Sequence, residues 1–203
     1  MSEHIASRRQ PSQQRSRERH DRILAAAKSL IAEKGSDRVR MSEVAALAQM
    51  SIGSLYQYFP DKGAIVRTLA ERYSAESRAC IEQALAAVRD LDGLQAAYEG
   101  LVDQYYGLGL ADPVMRDVWS GMQADKQLMA LELDESRACG ALLAAAIRRA
   151  RPRVNAKKVE LSAFLIWQLG EATMRLAITL PRKEGDALVA TFKRMTWREM
   201  SQL

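Results

Sequence analysis

The sequence predicts an all-α protein with a small front domain of short helices and a larger helical domain behind it. Three observations carry this. Apolar residues recur at helical spacing from about residue 17 to the end, no stretch alternates with the period of a strand, and the excess positive charge is confined to the front. The chain has 203 residues, 48% hydrophobic and 27% charged, enough to bury a core of one or two domains. No apolar run reaches the ~18 residues a membrane helix needs, and the Arg-rich N-terminus has no apolar signal region, so neither a membrane partner nor export is expected and the expected compartment is the cytoplasm. Cys80 and Cys139 lie within amphipathic helical patterns without a second Cys or His at metal spacing, and read as small buried hydrophobes.

The net charge of +5 is uneven. Residues 1–75 hold 13 Lys or Arg against 8 Asp or Glu, and the remainder holds 17 against 17. Arg8, Arg9, Arg15, Arg17, Arg19 and Arg22 crowd the start, with Pro11, Gln and Ser between them. That composition buries no apolar surface, so residues 1–16 are expected to be a flexible basic arm suited to a phosphate backbone or a minor groove.

The first helix is expected at about 17–34, its buried stripe being Ile23, Ala26, Ala27, Leu30 and Ile31, with Gly35 ending it. A short helix follows at 41–48, with Val44, Ala45, Leu47 and Ala48 able to pack inward. After a break at Gln49 and Met50, Ser51 caps a third short helix that stops before Pro60. A fourth starts near Asp61 and meets no breaker until about Leu91, roughly 30 residues and about 45 Å. Further helices are expected at 92–110, 113–123, 125–150, 155–180 and 184–201. The GLGL run at 107–110 reads as a helix terminus or hinge.

The run MSIGSLYQYFPDKGAI at 50–65 is the most informative stretch. Three short helices, the second and third joined by a tight turn at about 39–58, have the size and order of a helix-turn-helix DNA reader, whose last helix enters the major groove. Side chains on its first turns must be short and polar. Ser51, Ile52, Gly53, Ser54 and Gln57 meet that demand, and the ~1 kcal/mol that Gly53 costs the helix is justified by close approach to DNA. Tyr56 and Tyr58 offer hydroxyls to phosphates, Lys62 offers a positive charge, and Leu55 and Phe59 face the small core.

From about 17 to 77 the chain resembles the DNA-binding domain of the tetracycline-repressor (TetR) family of bacterial regulators. VAALAQMSIGSLYQYFPDK is similar to that family's run of Ile-Ala, a turn, Val-Ser-x-Gly-x-Leu-Tyr-x-Tyr-Phe and a following Lys. The resemblance implies that the short third helix reads the operator, that Tyr56, Tyr58 and Lys62 hold phosphates, and that Arg40, Met41 and Ser42 add phosphate contacts. Two departures stand out. Arg40 takes the place of the usual Thr cap, with Glu43 still at N3, and Gln49 stands where the family usually has Gly in the turn, which requires a left-handed or bridge conformation or a different bend.

Beyond residue 78 the resemblance is architectural: it implies an α-helical ligand-binding and dimerisation domain. The apolar residues Leu161, Phe164, Leu165, Gln168, Leu169, Ala172 and Leu176, then Leu188, Phe192, Met195 and Met200, are candidates for a dimer bundle, since such readers use two copies on two half-sites. Tyr98, Tyr105, Tyr106, Trp119, Met122, Met129 and Trp167 are candidates for an apolar ligand pocket. His4 and His20 sit in or beside the arm, and no nucleophile or carboxylate pair has a partner at useful spacing, so no enzyme, catalytic residue, metal or cofactor is expected. The expected function is a dimeric transcriptional regulator of a palindromic operator in double-stranded DNA, a repressor released by a small-molecule effector. The alternatives are a DNA-binding regulator without small-molecule response, and a helical interaction module that does not bind DNA.

Overall fold

The computed structural model describes residues 3–122 and 126–203, and the side chains of these except for residues 3–12, 120–122, 127 and 128. The described residues form α-helices joined by short turns, in two compact units that divide between Leu69 and Ala70.

The first unit begins with α1 (Glu3–Lys34), followed by a 3-10 turn (Ser36–Arg38), α2 (Met41–Leu47), α3 (Ile52–Tyr58) and the start of α4 (Lys62–Ala86). Helix α1 begins well before residue 17, so the segment expected to be a flexible arm is helical from Glu3. The composition argument excludes a core there, not a helix. Arg, Gln and Glu extend a nucleated helix at low cost, and residues 13–19 are exposed as a segment without a core should be. Downstream, Ile23, Leu24, Ala27 and Ile31 are buried, and together with Val44, Leu55, Phe59 and Ile65 they form the small core. Full burial of each large aliphatic side chain contributes about 1.5–3 kcal/mol. His20 stacks on Phe59 with ring centroids 4.8 Å apart.

Helix α1 stops at Gly35, whose φ of 79° lies in the left-handed region. At α2 the missing hydroxyl cap is half replaced. Arg40 has no side-chain acceptor to offer, but Glu43 Oε2 accepts from Arg40 N–H at 2.9 Å, while Lys34 donates to Glu43 Oε1 at 2.5 Å. That ammonium, before the Arg40 N–H, holds the Glu43 carboxyl below its ordinary pKa.

Helix α2 ends in a Schellman turn. Met50 N–H donates to Ala45 O at 3.0 Å and Gln49 N–H to Ala46 O at 3.1 Å. Gln49 carries the turn with φ 55°, so the left-handed conformation is adopted without glycine. Ser51 then caps α3, accepting from Ser54 N–H at 3.1 Å.

The second unit comprises the rest of α4, α5 (Leu91–Ala111), α6 (Pro113–Met122), α7 (Lys126–Ala150), α8 (Ala156–Ala177) and α9 (Arg182–Gln202). Helix α4 ends at Ala86, short of the expected Leu91. Arginines hold it there: Arg149 donates to Leu85 O at 2.6 Å and Arg89 to Ala86 O at 2.7 Å, so its last carbonyls are met by guanidinium groups. Asp90 caps α5 by accepting from Gly93 N–H at 2.8 Å. Leu94, Leu143, Ile147, Val159 and Met200 are fully buried at the centre of this unit. Helices α7 and α8 cross closely at Gly140, where a Cβ would come within 2.9 Å of Phe164 Cα. The GLGL run falls in the last turns of α5, and Gly109 leaves room for the Trp119 ring.

Since Gln49 bears a left-handed backbone at ~1 kcal/mol or more, Gln49→Gly is expected to stabilise the folded chain by about 1 kcal/mol, read as a higher urea midpoint at unchanged slope. An unchanged or lower midpoint would refute the strain assigned to this turn.

Candidate nucleic-acid interface and ligand cavity

The reading face of the first unit follows from the turn at Gln49 and the cap at Ser51. With Leu55 and Phe59 buried, the period of the helix leaves Ser51, Ile52, Gly53, Tyr56 and Gln57 exposed and Ser54 and Tyr58 half-buried. Ile52 is 42% exposed and Tyr56 51%. A Cβ on Gly53 would meet no atom of the described residues within 4 Å. No internal packing therefore asks for glycine at that position. Ser51 donates to Ser54 Oγ at 2.8 Å, which leaves the Ser54 hydroxyl hydrogen to another acceptor.

Tyr58 and Lys62 are held by their own unit. The Tyr58 hydroxyl accepts from Ser16 and then Arg19 of α1, and these donors hold its pKa below the ordinary tyrosine range. Lys62 Nζ donates to Ser36 O at 2.7 Å and Asp37 O at 3.0 Å, so at most one of its three N–H groups is left for a phosphate. Arg40 and Ser42 are exposed and Met41 half-buried at the start of α2. Ser16 and Arg19 are the partners that local spacing missed, because their approach to Tyr58 depends on how α1 crosses α3.

The second unit contains a cavity of about 120 Å³ lined from α4, α5, α6, α7 and α8, with Phe192 of α9. Tyr98, Tyr105, Trp119 and Trp167 line it as expected. Tyr105 and Trp119 stack with ring centroids 4.6 Å apart, and Tyr98 donates to Thr196 Oγ1 at 2.8 Å. Two of the other three expected residues fall elsewhere. Tyr106, one residue from Tyr105, points about 100° further round α5 and lies under Arg182, with the guanidinium carbon 5.6 Å from its ring centre. Met129 is exposed, and the side chain of Met122 lies outside the described residues.

The polar end of the cavity was not anticipated. Glu135 and Glu171 line it, with Cys80 and Cys139 beside them. Ser136 donates to Glu171 Oε2 at 2.9 Å, Arg175 to Glu132 Oε1 at 2.5 Å, and Arg78 Nε to Glu135 Oε2 at 2.9 Å. Burial, opposed by the Ser136 hydrogen bond and reinforced by the Glu132 charge, pushes the Glu171 carboxyl up to about 7. Burial pushes the Cys139 thiol up to about 12, so it stays a thiol.

The candidate dimer face divides. On α8, Leu161, Leu165, Leu169, Ala172 and Leu176 form one exposed stripe, and Met195 of α9 is 67% exposed. Phe192 is instead buried in the chain's own core, because the apolar pattern of α9 is wide enough to serve two faces. Phe164 packs on α7 with the Arg137 guanidinium 5.0 Å from its ring centre. Gln168 and Leu188 are half-buried.

Residues 23–69 match the model for bacterial regulatory proteins of the tetR family, and residues 92–203 match that for the tetracyclin repressor-like C-terminal domain. The chain belongs to the TetR family. At that level it is a DNA-binding transcriptional regulator. Solved structures share the TetR fold across nearly the whole chain. A TetR-family transcriptional regulator from Mesorhizobium loti has 19% identity, covers 92% of this chain and 96% of its own, and superposes with TM-score 0.71. One from Streptomyces coelicolor has 20% identity, coverage of 93% and 98%, and TM-score 0.70. RolR in complex with its ligand resorcinol has 21% identity, coverage of 93% and 95%, and TM-score 0.64. No curated protein matches the chain in sequence.

The raised carboxyl gives a pH signature. Between about 4.5 and about 7 the folded chain keeps the Glu171 proton and the unfolded chain does not, so this group's contribution to stability is present below that window and is lost as pH rises through it. Glu171→Gln is expected to shrink the fall in urea-unfolding stability between pH 5 and pH 8 by on the order of 1–3 kcal/mol. Equal falls in the two proteins would count against this environment for Glu171.

Proposed function

We propose that this regulator is a homodimeric repressor that grips a palindromic operator through α3 and lets go when a small molecule occupies the cavity of the second unit. One observation carries the DNA reading. Gly53 sits exposed in the first turn of α3 with open space where a Cβ would be, so its cost to the helix has no return among the described residues and finds one in an approaching surface. Ser51, Ile52, Ser54 and Gln57 stand beside it to meet base edges. Tyr56 and Tyr58 donate to phosphates with Arg19 at the side, Lys62 gives its remaining N–H, and Arg40, Met41 and Ser42 contact the backbone at the start of α2.

The exposed leucines of α8 support the dimer. Leu161, Leu165, Leu169 and Leu176 recur every four or seven residues along one face, an apolar seam suited to a second copy. Two copies present two reading helices to half-sites about 34–36 Å apart. The effector reading rests on the cavity, one wall of which is Tyr73, Ser74, Ser77, Cys80 and Ile81 of α4, the same continuous helix that carries Lys62. Tyr73 also donates to Asp112 at 2.8 Å, at the junction of α5 and α6, so a ligand moving Trp119 of α6 pulls on α4 directly. RolR, which shares the fold, is a relative with a single-ring ligand.

Four substitutions test this with a duplex selected from random sequence. Gly53→Ala is expected to raise stability by about 0.5–1 kcal/mol while lowering affinity for the selected duplex at least tenfold. Retained affinity would remove the close approach. Tyr56→Phe is expected to weaken all duplexes alike, by roughly 2- to 12-fold for one hydrogen bond, whereas Gln57→Ala should change which sequence wins. For the dimer, Leu169→Glu should give a monomer in analytical ultracentrifugation and abolish tight operator binding; an intact dimer would mean that α8 is not the seam.

A further inference from the structure

The cavity is apolar over most of its wall, yet among the described residues the charges at its polar end do not balance. Glu132, Glu135 and Glu171 meet Arg78 and Arg175. Arg78 takes Glu135 through two nitrogens and Arg175 takes Glu132, which places each guanidinium on a carboxylate other than Glu171. Glu171 is left with the Ser136 hydroxyl and the neighbouring Glu132 carboxyl. Arg175, one turn on along α8, acts on it through its charge, and the other titratable groups near it are Tyr105 of α5 and Cys139 of α7, both of which stay neutral. A carboxyl so placed keeps a proton because burial outweighs the pull of Arg175, whose guanidinium is bonded to Glu132.

We propose that the ligand of this cavity is a compact organic cation, a single apolar or aromatic ring carrying a protonated amine that pairs with Glu171. The inference rests on reading this cavity as the effector site. Size limits the apolar part: about 120 Å³ is close to an engineered apolar cavity of about 150 Å³ that takes one benzene. Tyr105 and Trp119, stacked on each other, line the cavity together with Trp167, and aromatic rings suit both a ring and an ammonium. An anionic ligand is disfavoured, because its charge would be buried against Glu171 and Glu132. A neutral ligand finds the apolar wall but gains no charge pairing from Glu171. When the amine binds, the proton on Glu171 departs to solvent and the ammonium takes its place, so binding strengthens as pH rises through about 7, as long as the amine itself stays protonated.

The test uses the full-length protein with benzylamine, benzyl alcohol and benzoate as probes, followed by isothermal titration calorimetry at pH 6 and pH 8. Expected are benzylamine binding at least tenfold tighter than either analogue at pH 8, about a tenfold gain for benzylamine between the two pH values, and loss of both in Glu171→Gln. The variant keeps volume and a Ser136 partner, and its unchanged affinity for benzyl alcohol reports an intact cavity. Benzyl alcohol or benzoate binding as tightly as benzylamine in the wild type, or a benzylamine affinity independent of pH, overturns the assignment without recourse to the variant. Anisotropy of the selected duplex separates the two claims. If benzylamine binds with the expected pH dependence but leaves DNA bound, the ligand class stands and the effector role falls. If neutral rings release DNA and benzylamine does not, the role stands and the ligand class falls.

Discussion

The turn at Gln49 is the constraint on which the first unit depends. One residue in the left-handed region ends α2, lets Met50 N–H reach Ala45 O, and delivers Ser51 in the extended conformation a cap requires. From there no choice remains about which face of α3 looks outward. Leu55 and Phe59, four apart, must enter the core, so Ile52, Gly53, Tyr56 and Gln57 must leave it. A one-residue change in the turn would rotate α3 by about 100° and bury the wrong set. The strain at Gln49 is therefore borne at a place where geometry matters more than a kilocalorie.

The second unit meets a different constraint, that buried charge must be compensated. Two of three carboxylates near the cavity are compensated by arginines reaching from other helices, Arg78 from α4 to α7 and Arg175 from α8 to α7. These bonds tie the helices together as they neutralise charge, and among the described residues they leave one carboxyl of the three, Glu171, with a hydroxyl and no guanidinium bonded to it at the place where a ligand could lie. The apolar remainder of the wall keeps water from screening that carboxyl cheaply, which is why it holds its proton so far above the ordinary range.

What could be read from the sequence were features whose cause is local. Ser51 caps α3 and Gly35 ends α1 because neighbours along the chain decide those positions, and α5 to α9 fall within a few residues of their periodic patterns. What escaped has distant causes. The end of α4 is set partly by Arg149, more than sixty residues away, and the donors to Tyr58 and the carbonyl acceptors of Lys62 depend on how α1 and the 3-10 turn fold back. Glu171 was not among the residues expected at the cavity. Its signal was present nonetheless: it stands four residues after Trp167 and three before Met174, on the stripe that faces the cavity, where a charge on an apolar face asks for a reason.

Helix α8 connects the two proposed roles of the second unit. Ile166, Gly170 and Met174 line the cavity with Glu171, while Leu165, Leu169, Ala172 and Leu176 make the exposed stripe on the other side of the same helix. One helix about 10 Å across thus has the cavity on one face and the exposed leucine stripe proposed as the dimer seam on the other. Its register against α7 is fixed at Gly140, where no larger residue fits beside Phe164. A ligand that draws Glu171 towards itself cannot slide α8 along α7 at that crossing, and the remaining freedom is a tilt about it. Tilt at a pivot moves the ends of a helix most, so any change in the cavity would be felt at the ends of the leucine stripe more than at its middle, and the response of the dimer would be a change of angle between copies before it was a loss of contact.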